Sequence, residues 1–168
     1  SPFAANLYLS LGWSFAQWPS QITTLPLLVG IVGVQVLREF GLRDAGVKWP
    51  NDLWVGGRKL GGILIEHRGE AGGPCRVVIG IGLNVAMTAD QAQAVDQPWT
   101  SVTQALGKTI SRNELARALL GSLVQALHQF EREGFSPFAA LWPAVDLSLN
   151  RAVQVHAATP YTGIARGI

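Results

Sequence analysis

The segment from Lys48 to Glu66 constrains the fold more than any other part of the chain. It reads KWPNDLWVGGRKLGGILIE, and Pro50 and the pair Gly56–Gly57 divide it into short strand-like pieces. Proline fixes its own φ and biases the preceding residue towards an extended backbone, so a strand should end at Pro50. A Gly-Gly pair between apolar runs is typical of a two-residue hairpin turn. The pattern therefore predicts a β-hairpin that brings Lys59 close to Asp52.

The composition is that of an ordinary globular protein. Of the 168 residues, 48% are hydrophobic, which is enough to build a packed core. The 13 Lys and Arg are scattered among 11 Asp and Glu, and the sequence has no basic tract of the kind that binds nucleic acid. A single cysteine, Cys75, excludes an internal disulfide, so we expect a reducing compartment and a cytoplasmic protein.

Neither a membrane span nor a signal peptide is predicted. The longest apolar run, Leu25–Val34, contains one proline and two glycines and is shorter than the ~20 residues that a span requires. Residues 1–3 lack the basic start and apolar run of a signal peptide. Because the chain does not open with a methionine, we expect it to begin inside a longer protein.

Hydrophobic periodicity predicts an α+β fold, in which a mixed or antiparallel sheet packs against helices. The predicted strands of this sheet are Phe3–Leu11, Val47–Pro50, Leu53–Val55, Lys59–His67 and Arg76–Val85. Helices are predicted from a cap at Thr23 or Thr24 to about Phe40, from Ser101 to Leu106, from Ser111 to Gly134 and over Ser136–Val145. The stretches from Trp13 to Pro19 and from Met87 to Thr100 are predicted loops, and Gly69–Pro74 is a predicted turn.

The pattern changes after Asn150. Two further strands are predicted, Ala152–His156 and Thr162–Ala165, and two strands cannot bury a core alone. We therefore expect a main domain over residues 1–149 and the beginning of a small β-domain over residues 150–168.

Two charged residues in the hairpin suggest chemistry. Lys59 begins a strand that is apolar at Ile63 and Ile65, so it is either a solvated strand end or a functional cation. Such a cation can neutralise a carboxylate and a phosphate brought together, as the formation of an acyl-adenylate requires. Asp52 is either a turn former or a carboxylate that binds Mg²⁺ beside phosphates or orients an attacking amine.

Other motifs narrow the choice of mechanism. The segment Gly80–Asn84 lacks the third glycine of a dinucleotide fingerprint, and its glycines indicate a strand that passes close to a bulky side chain or a ligand. The histidines His67, His128 and His156 have no metal-ligand spacing, and Cys75 has no plausible histidine partner. The sequence thus favours catalysis by positioning and electrostatics over a covalent mechanism.

Three blocks in order resemble the signature motifs of biotin–protein ligases. They are Lys48–Asp52, Arg58–Leu64 and Gly80–Asn84, and Ser1–Tyr8 is similar to the start of the family's catalytic strands. The resemblance covers most of residues 1–150 and implies the family's class II synthetase-like catalytic domain. Residues 150–168 resemble the beginning of the family's C-terminal SH3-like domain, which is incomplete here.

This resemblance implies a two-step reaction. Biotin and MgATP form biotinyl-5′-adenylate and pyrophosphate, and a specific lysine of biotin carboxyl carrier protein, a subunit of acetyl-CoA carboxylase, then attacks the adenylate. By motif position, the implied catalytic residues are Lys59 and Asp52, and the implied biotin contacts are Lys59, Gly62 and Leu64. The implied contacts to ATP or the adenylate are Lys48, Asn51, Asp52, Asn84 and Trp99, and Asp52 is also the implied ligand of Mg²⁺.

The chain departs from the family pattern at both ends. The Gly/Arg-rich loop that closes over biotin should lie just before Ser1, so we expect low activity from this chain alone. Many family members also carry an N-terminal winged helix that represses biotin-synthesis genes, and DNA is an expected partner only if the full protein has one.

Two other functions compete with the ligase. Lipoate and octanoate ligases are relatives, but they lack the Lys-Trp-Pro-Asn-Asp block. A non-catalytic, biotin-sensing dimerisation domain of a repressor is the alternative of another class. In that case the strand at residues 76–85 would pair edge to edge with a second copy to form a homodimer.

Overall fold

A computed structural model describes residues 5–69, 73–88, 90, 97–155 and 160–168. Its main feature is a five-stranded antiparallel sheet with the strand order β1-β5-β4-β3-β2. The strands are β1 (Asn6–Phe15), β2 (Gly46–Lys48), β3 (Asp52–Val55), β4 (Arg58–Gly69) and β5 (Cys75–Asn84). The predicted fold class is thereby confirmed.

The described residues form four α-helices, and the two longest of them cover one face of this sheet. The four helices are α1 (Leu25–Glu39), α2 (Val102–Leu106), α3 (Arg112–Glu133) and α4 (Ser136–Ala139), with single 3-10 turns at Ile22–Thr24 and Trp142–Ala144. Helix α1 packs against β2, β3 and β4, and α3 packs against α1 and β1. The opposite face, which we call the open face, carries Tyr8, Ser10, Asp52, Gly62 and Leu64.

The core lies between the sheet and α1 with α3. The predicted apolar stripe of α3 is buried along its length: Leu115, Leu119, Leu123, Leu127 and Phe130. The 18-residue segment Ile22–Glu39 is long and apolar enough to cross a membrane by length and composition, but 61% of it is buried inside the fold. It is therefore the central helix of the core.

The β3–β4 hairpin forms where the sequence predicts it. Gly56 and Gly57 occupy the turn with φ of +57° and +73°, a backbone region that glycine enters without steric cost. The N–H of Gly56 donates to the Asp44 carboxylate at 2.8 Å, which holds the turn against the preceding loop.

Several boundaries differ from the prediction. Trp13 belongs to β1 rather than to a loop, because antiparallel pairing continues as far as Phe15 opposite Cys75. The hydroxyl of Thr24 donates to the carbonyl of Gln21, so it does not cap α1.

The predicted helix over Ser136–Val145 is wrong as a single element. It is divided into α4 and a 3-10 turn, because Pro143 cannot donate the hydrogen bond that a continuous helix requires. By contrast, Ser101 and Ser111 cap α2 and α3 as predicted.

The last strands form a separate two-stranded sheet of β6 (Ala152–Val155) and β7 (Tyr161–Ile164). The division at residues 149 and 150 into two domains stays a prediction. Some predictions concern residues outside the described ranges, namely residues 1–4, the centre of the turn at 70–72, positions 89 and 91–96 of the loop, and His156.

Candidate active site

The orientation of Lys59 depends on a β-bulge in the hairpin. Trp54 pairs with Lys59 and Leu53 pairs with Gly61, so Leu60 is an extra residue between them. Leu60 is fully buried on the helix side of the sheet. A bulge of this kind shifts the alternation of side chains by one position. Lys59 therefore lies on the open face, where an uninterrupted strand would have turned it towards the core.

On this face Lys59 and Asp52 form an ion pair. The Lys59 Nζ lies 2.7 Å from the Asp52 Oδ1, and the two side chains are 29% and 25% exposed. The backbone of Lys59 is held as well, because its N–H donates to the carbonyl of Pro98 and its carbonyl accepts from the N–H of Thr100, each at 2.9 Å. The predicted proximity of Lys59 to Asp52 is confirmed.

Asn51 ties the turn before Asp52 to the neighbouring strand. The side-chain amide of Asn51 donates to the carbonyl of Ile63 at 2.8 Å, and the backbone carbonyl of Asn51 accepts from the N–H of Ile63 at 2.8 Å. The turn also contains the Trp49–Pro50 peptide bond, which is cis. The two hydrogen bonds between Asn51 and Ile63 thus hold the backbone that leads into Asp52.

A cavity of about 380 Å³ opens on the open face beside the ion pair. Its wall consists of Tyr8, Leu9, Ser10, Asn51, Asp52, Lys59, Gly62, Ile63, Leu64, Gly80, Ile81 and Gly82. Gly62 and Gly82 are paired across β4 and β5, so the bare backbone forms part of the floor. The charged pair lies at one end, and the exposed apolar side chain of Leu64 lies further along β4. This arrangement suits an elongated, largely apolar ligand with an anionic end.

Three predicted nucleotide contacts lie outside the cavity wall. The ammonium of Lys48 lies 4.3 Å from the centre of the Trp54 ring. The side-chain amide of Asn84 donates to the carbonyl of Thr100 at 3.2 Å. Trp99 pairs through its backbone with the start of β4. The predicted site residues that share the cavity wall are Asn51, Asp52, Lys59, Gly62 and Leu64.

Two cavity residues on β1, Tyr8 and Ser10, are absent from the predicted site. Their signal in the sequence is the alternation of β1, in which they lie between leucines that face the core. The Tyr8 ring lies beside Gly82, but a Cβ there would meet it at 3.6 Å, which is an ordinary contact, so the predicted close approach at the glycines of β5 stays a prediction.

The other reactive side chains do not extend the site. Among the described residues, no group of three or more His, Cys, Asp or Glu could hold a metal ion. His67 and His128 each pack edge-on against a tryptophan ring. Cys75 is buried at the start of β5, and this burial raises the pKa of its thiol above the ordinary value. A buried thiol of this kind is a poor nucleophile.

Comparisons with known proteins agree with this geometry. Among curated proteins, the bifunctional ligase/repressor BirA of Escherichia coli is 43% identical over 169 aligned residues, which span 100% of this chain and 52% of BirA. The biotin–[acetyl-CoA-carboxylase] ligase of Paracoccus denitrificans is 32% identical over 73% of this chain and 52% of that ligase. The chain thus spans about half the length of these relatives.

Among solved structures, the biotin protein ligase of Aquifex aeolicus has the same fold. A mutant of that ligase in complex with biotin matches with a TM-score of 0.83 and 24% identity, over 98% of this chain and 67% of that chain. The same ligase in complex with biotin and ATP matches with a TM-score of 0.80 and 23% identity, over 98% and 68% of the two chains. The family model described as the biotin/lipoate A/B protein ligase family matches residues 1–84, which is half of the sequence. The chain therefore belongs to the biotin/lipoate A/B protein ligase family.

Proposed function

We propose that this chain is the catalytic part of a biotin–protein ligase, which activates biotin with ATP and transfers it to a lysine of a carrier protein. The observation that carries the proposal is the Lys59–Asp52 ion pair at the charged end of a cavity floored by glycines. Membership of the ligase family supports it, and so does the similarity to relatives that are named as biotin–[acetyl-CoA-carboxylase] ligases.

In the first step, an oxygen of the biotin carboxylate attacks the α-phosphorus of ATP, and pyrophosphate leaves. Two anions must approach each other, so their mutual repulsion is a large part of the barrier. We assign Lys59 to this step, because its ammonium lies on the open face and its backbone is hydrogen-bonded on both sides. Gly62 and Leu64 are the proposed biotin contacts, since both belong to the cavity wall.

In the second step, the carrier lysine attacks the carbonyl carbon of biotinyl-5′-adenylate, and AMP leaves. The amine has an ordinary pKa near 10.4, so it must lose a proton before it attacks. Asp52 is the proposed acceptor or orienting group, because it is a carboxylate in the cavity wall. Lys48, Asn51, Asn84 and Trp99 are the proposed contacts to ATP or the adenylate.

The proposed reaction also requires Mg²⁺, which would bind together with the nucleotide. Proteins commonly bind Mg²⁺ through one or two carboxylates plus the phosphates of the substrate. Asp52 is a carboxylate in the cavity wall, and one carboxylate fits an ion that the phosphates of ATP would also hold. The ion, when bound, neutralises charge on the triphosphate.

The proposed protein partner is biotin carboxyl carrier protein, the carrier subunit of acetyl-CoA carboxylase. The predicted edge-to-edge homodimer through residues 76–85 is wrong, because β5 is paired with β1 on one side and with β4 on the other and has no free edge. DNA binding by a further domain stays a prediction. We place the reaction in the cytoplasm, where the free Cys75 thiol remains reduced.

ATP–pyrophosphate exchange by the full-length protein tests the proposal. We expect exchange that depends on biotin and not on lipoate or octanoate. Exchange with lipoate or octanoate alone would assign the chain to another branch of the family. Tight binding of biotin without any exchange would instead identify a non-catalytic sensing domain.

A further inference from the structure

We infer that Trp54 is a positioning residue for Lys48. The face of the indole ring holds the lysine ammonium on the open face of the sheet, where it can meet the phosphates of a nucleotide. This inference deepens the proposed function and rests on it, because Lys48 is one of the proposed nucleotide contacts.

The register of the sheet places these side chains together. Lys48 on β2 is paired with Asp52 on β3, and Trp54 follows two residues later on the same face of β3. Val47 and Leu53 are fully buried on the helix side. Because side chains alternate along a strand, Lys48, Asp52 and Trp54 all project from the open face.

Lys48 does not take the ionic partner that stands opposite it. The Asp52 Oδ1 is paired with the Lys59 ammonium at 2.7 Å, and the described residues contain no ion pair that includes Lys48. The Lys48 ammonium instead lies 4.3 Å from the centre of the Trp54 ring. Within the described part of the chain its charge is therefore uncompensated, and its N–H donors are available to an anion.

This contact matters because a lysine side chain has many rotamers. An exposed lysine that binds a phosphate must give up this freedom, and a surface that already holds the ammonium reduces that loss. Cation–π contacts at exposed sites typically change an equilibrium constant about fivefold, the equivalent of ~1 kcal/mol. The contact therefore prepares Lys48 for an anionic ligand without neutralising it.

Trp54 is half-buried, and its Nε1 is a buried donor with no hydrogen-bond partner among the described residues. Replacing Trp54 by phenylalanine keeps an aromatic face and breaks no hydrogen bond. Replacing it by leucine keeps an apolar side chain and removes the π face. Comparison of the two variants thus separates the effect of the aromatic face from the effect of the apolar bulk of the side chain.

The test uses the full-length protein and a double-mutant cycle. Trp54→Leu should raise the KM for ATP about fivefold in biotin-dependent pyrophosphate exchange, with kcat nearly unchanged. Trp54→Phe should restore most of the affinity. In a Lys48→Met background, Trp54→Leu should have no further effect, because the group that it positions is gone. An unchanged KM in Trp54→Leu, or an equal rise in the Lys48→Met background, would overturn the inference.

Binding of inorganic pyrophosphate, measured by calorimetry, gives the same comparison without catalysis. Trp54→Leu and Lys48→Met should each weaken the binding of pyrophosphate, and the double variant should bind pyrophosphate no more weakly than Lys48→Met. A protein with this binding pattern but no exchange would overturn the proposed function and retain the inference. An active protein without the pattern would overturn the inference alone.

Discussion

The ammonium of Lys59 lies 2.7 Å from the carboxylate of Asp52, although Lys59 is paired across the hairpin with Trp54. The extra residue Leu60 makes this possible, because it turns Lys59 to the face that Asp52 occupies. Both ends of the pair reach a cavity whose floor is partly bare backbone. A cation for joining two anions and a carboxylate for an incoming amine are therefore available in one place.

The role of Asp52 in transfer predicts a difference between two nucleophiles. Asp52→Asn should slow transfer from preformed biotinyl-5′-adenylate to the carrier lysine about 100-fold, because the amine loses its proton acceptor. Hydroxylamine is neutral at pH 7 and needs no such acceptor, so its reaction should change little. Single-turnover kinetics with both nucleophiles make the comparison. Equal losses for the two would show that Asp52 acts on the adenylate and not on the amine.

The glycine floor predicts a loss of binding without a loss of stability. A methyl group on Gly62 would lie 3.5 Å from the Asp52 carboxylate, which is an ordinary contact, but it would project into the cavity. Gly62→Ala should therefore lower the affinity for biotin about tenfold, which is the effect of moderate overpacking. Gly12→Ala is the matched control, since a Cβ there meets nothing within 4 Å. Calorimetric titration with biotin measures both, and equal affinities in the two variants would remove Gly62 from the site.

The helix caps predict two unequal stability changes. Ser111 accepts a hydrogen bond from the N–H of Glu114 at 3.3 Å, so Ser111→Ala should lower the free energy of unfolding by about 1 kcal/mol. Thr24 makes no cap bond and donates instead to the carbonyl of Gln21, so Thr24→Ala should cost less. Urea unfolding of the two variants measures the difference. A larger loss from Thr24→Ala would contradict the assigned cap geometry.

The buried thiol of Cys75 should make the free energy of unfolding depend on pH. Burial raises the pKa of its thiol in the folded state above the ordinary 9.0, so near and above that pH the folded state binds more protons than the unfolded state. The free energy of unfolding should therefore fall as the pH rises through the unfolded pKa. Below that range the thiol is protonated in both states and contributes no slope. Urea unfolding at pH 7 and pH 10 measures this effect. The free energy of unfolding should fall less between these two pH values in Cys75→Ala than in the wild type. An identical fall in both proteins would show that the Cys75 thiol is not its cause.

The sequence predicts elements best where the signal is local. The Gly56–Gly57 turn is specified by backbone preference, and the stripe from Leu115 to Phe130 by helical periodicity, so both predictions are confirmed. The break at Pro143 is also a local feature. The apolar pattern around it predicts a continuous helix, but the proline itself predicts the interruption that the structure shows.

The remaining features depend on contacts between distant segments. The bulge at Leu60 depends on the core, in which Leu60 is fully buried, and on segment 98–100, which pairs with the backbone of Lys59. No pattern within the hairpin reports either contact. The same holds for Tyr8, whose place in the cavity wall follows from its pairing with Gly82.

Biotin-dependent ATP–pyrophosphate exchange in a Lys59→Ala variant of the full-length protein tests the central claim most directly. Loss of the ammonium should lower exchange at least about 100-fold, since removing a comparable charge-stabilising group costs ~3 kcal/mol. The melting temperature should stay near that of the wild type, because the lost ion pair is partly exposed. Lys108→Ala, a substitution at an exposed lysine outside the cavity wall, should retain full exchange. Full exchange in Lys59→Ala would contradict the account.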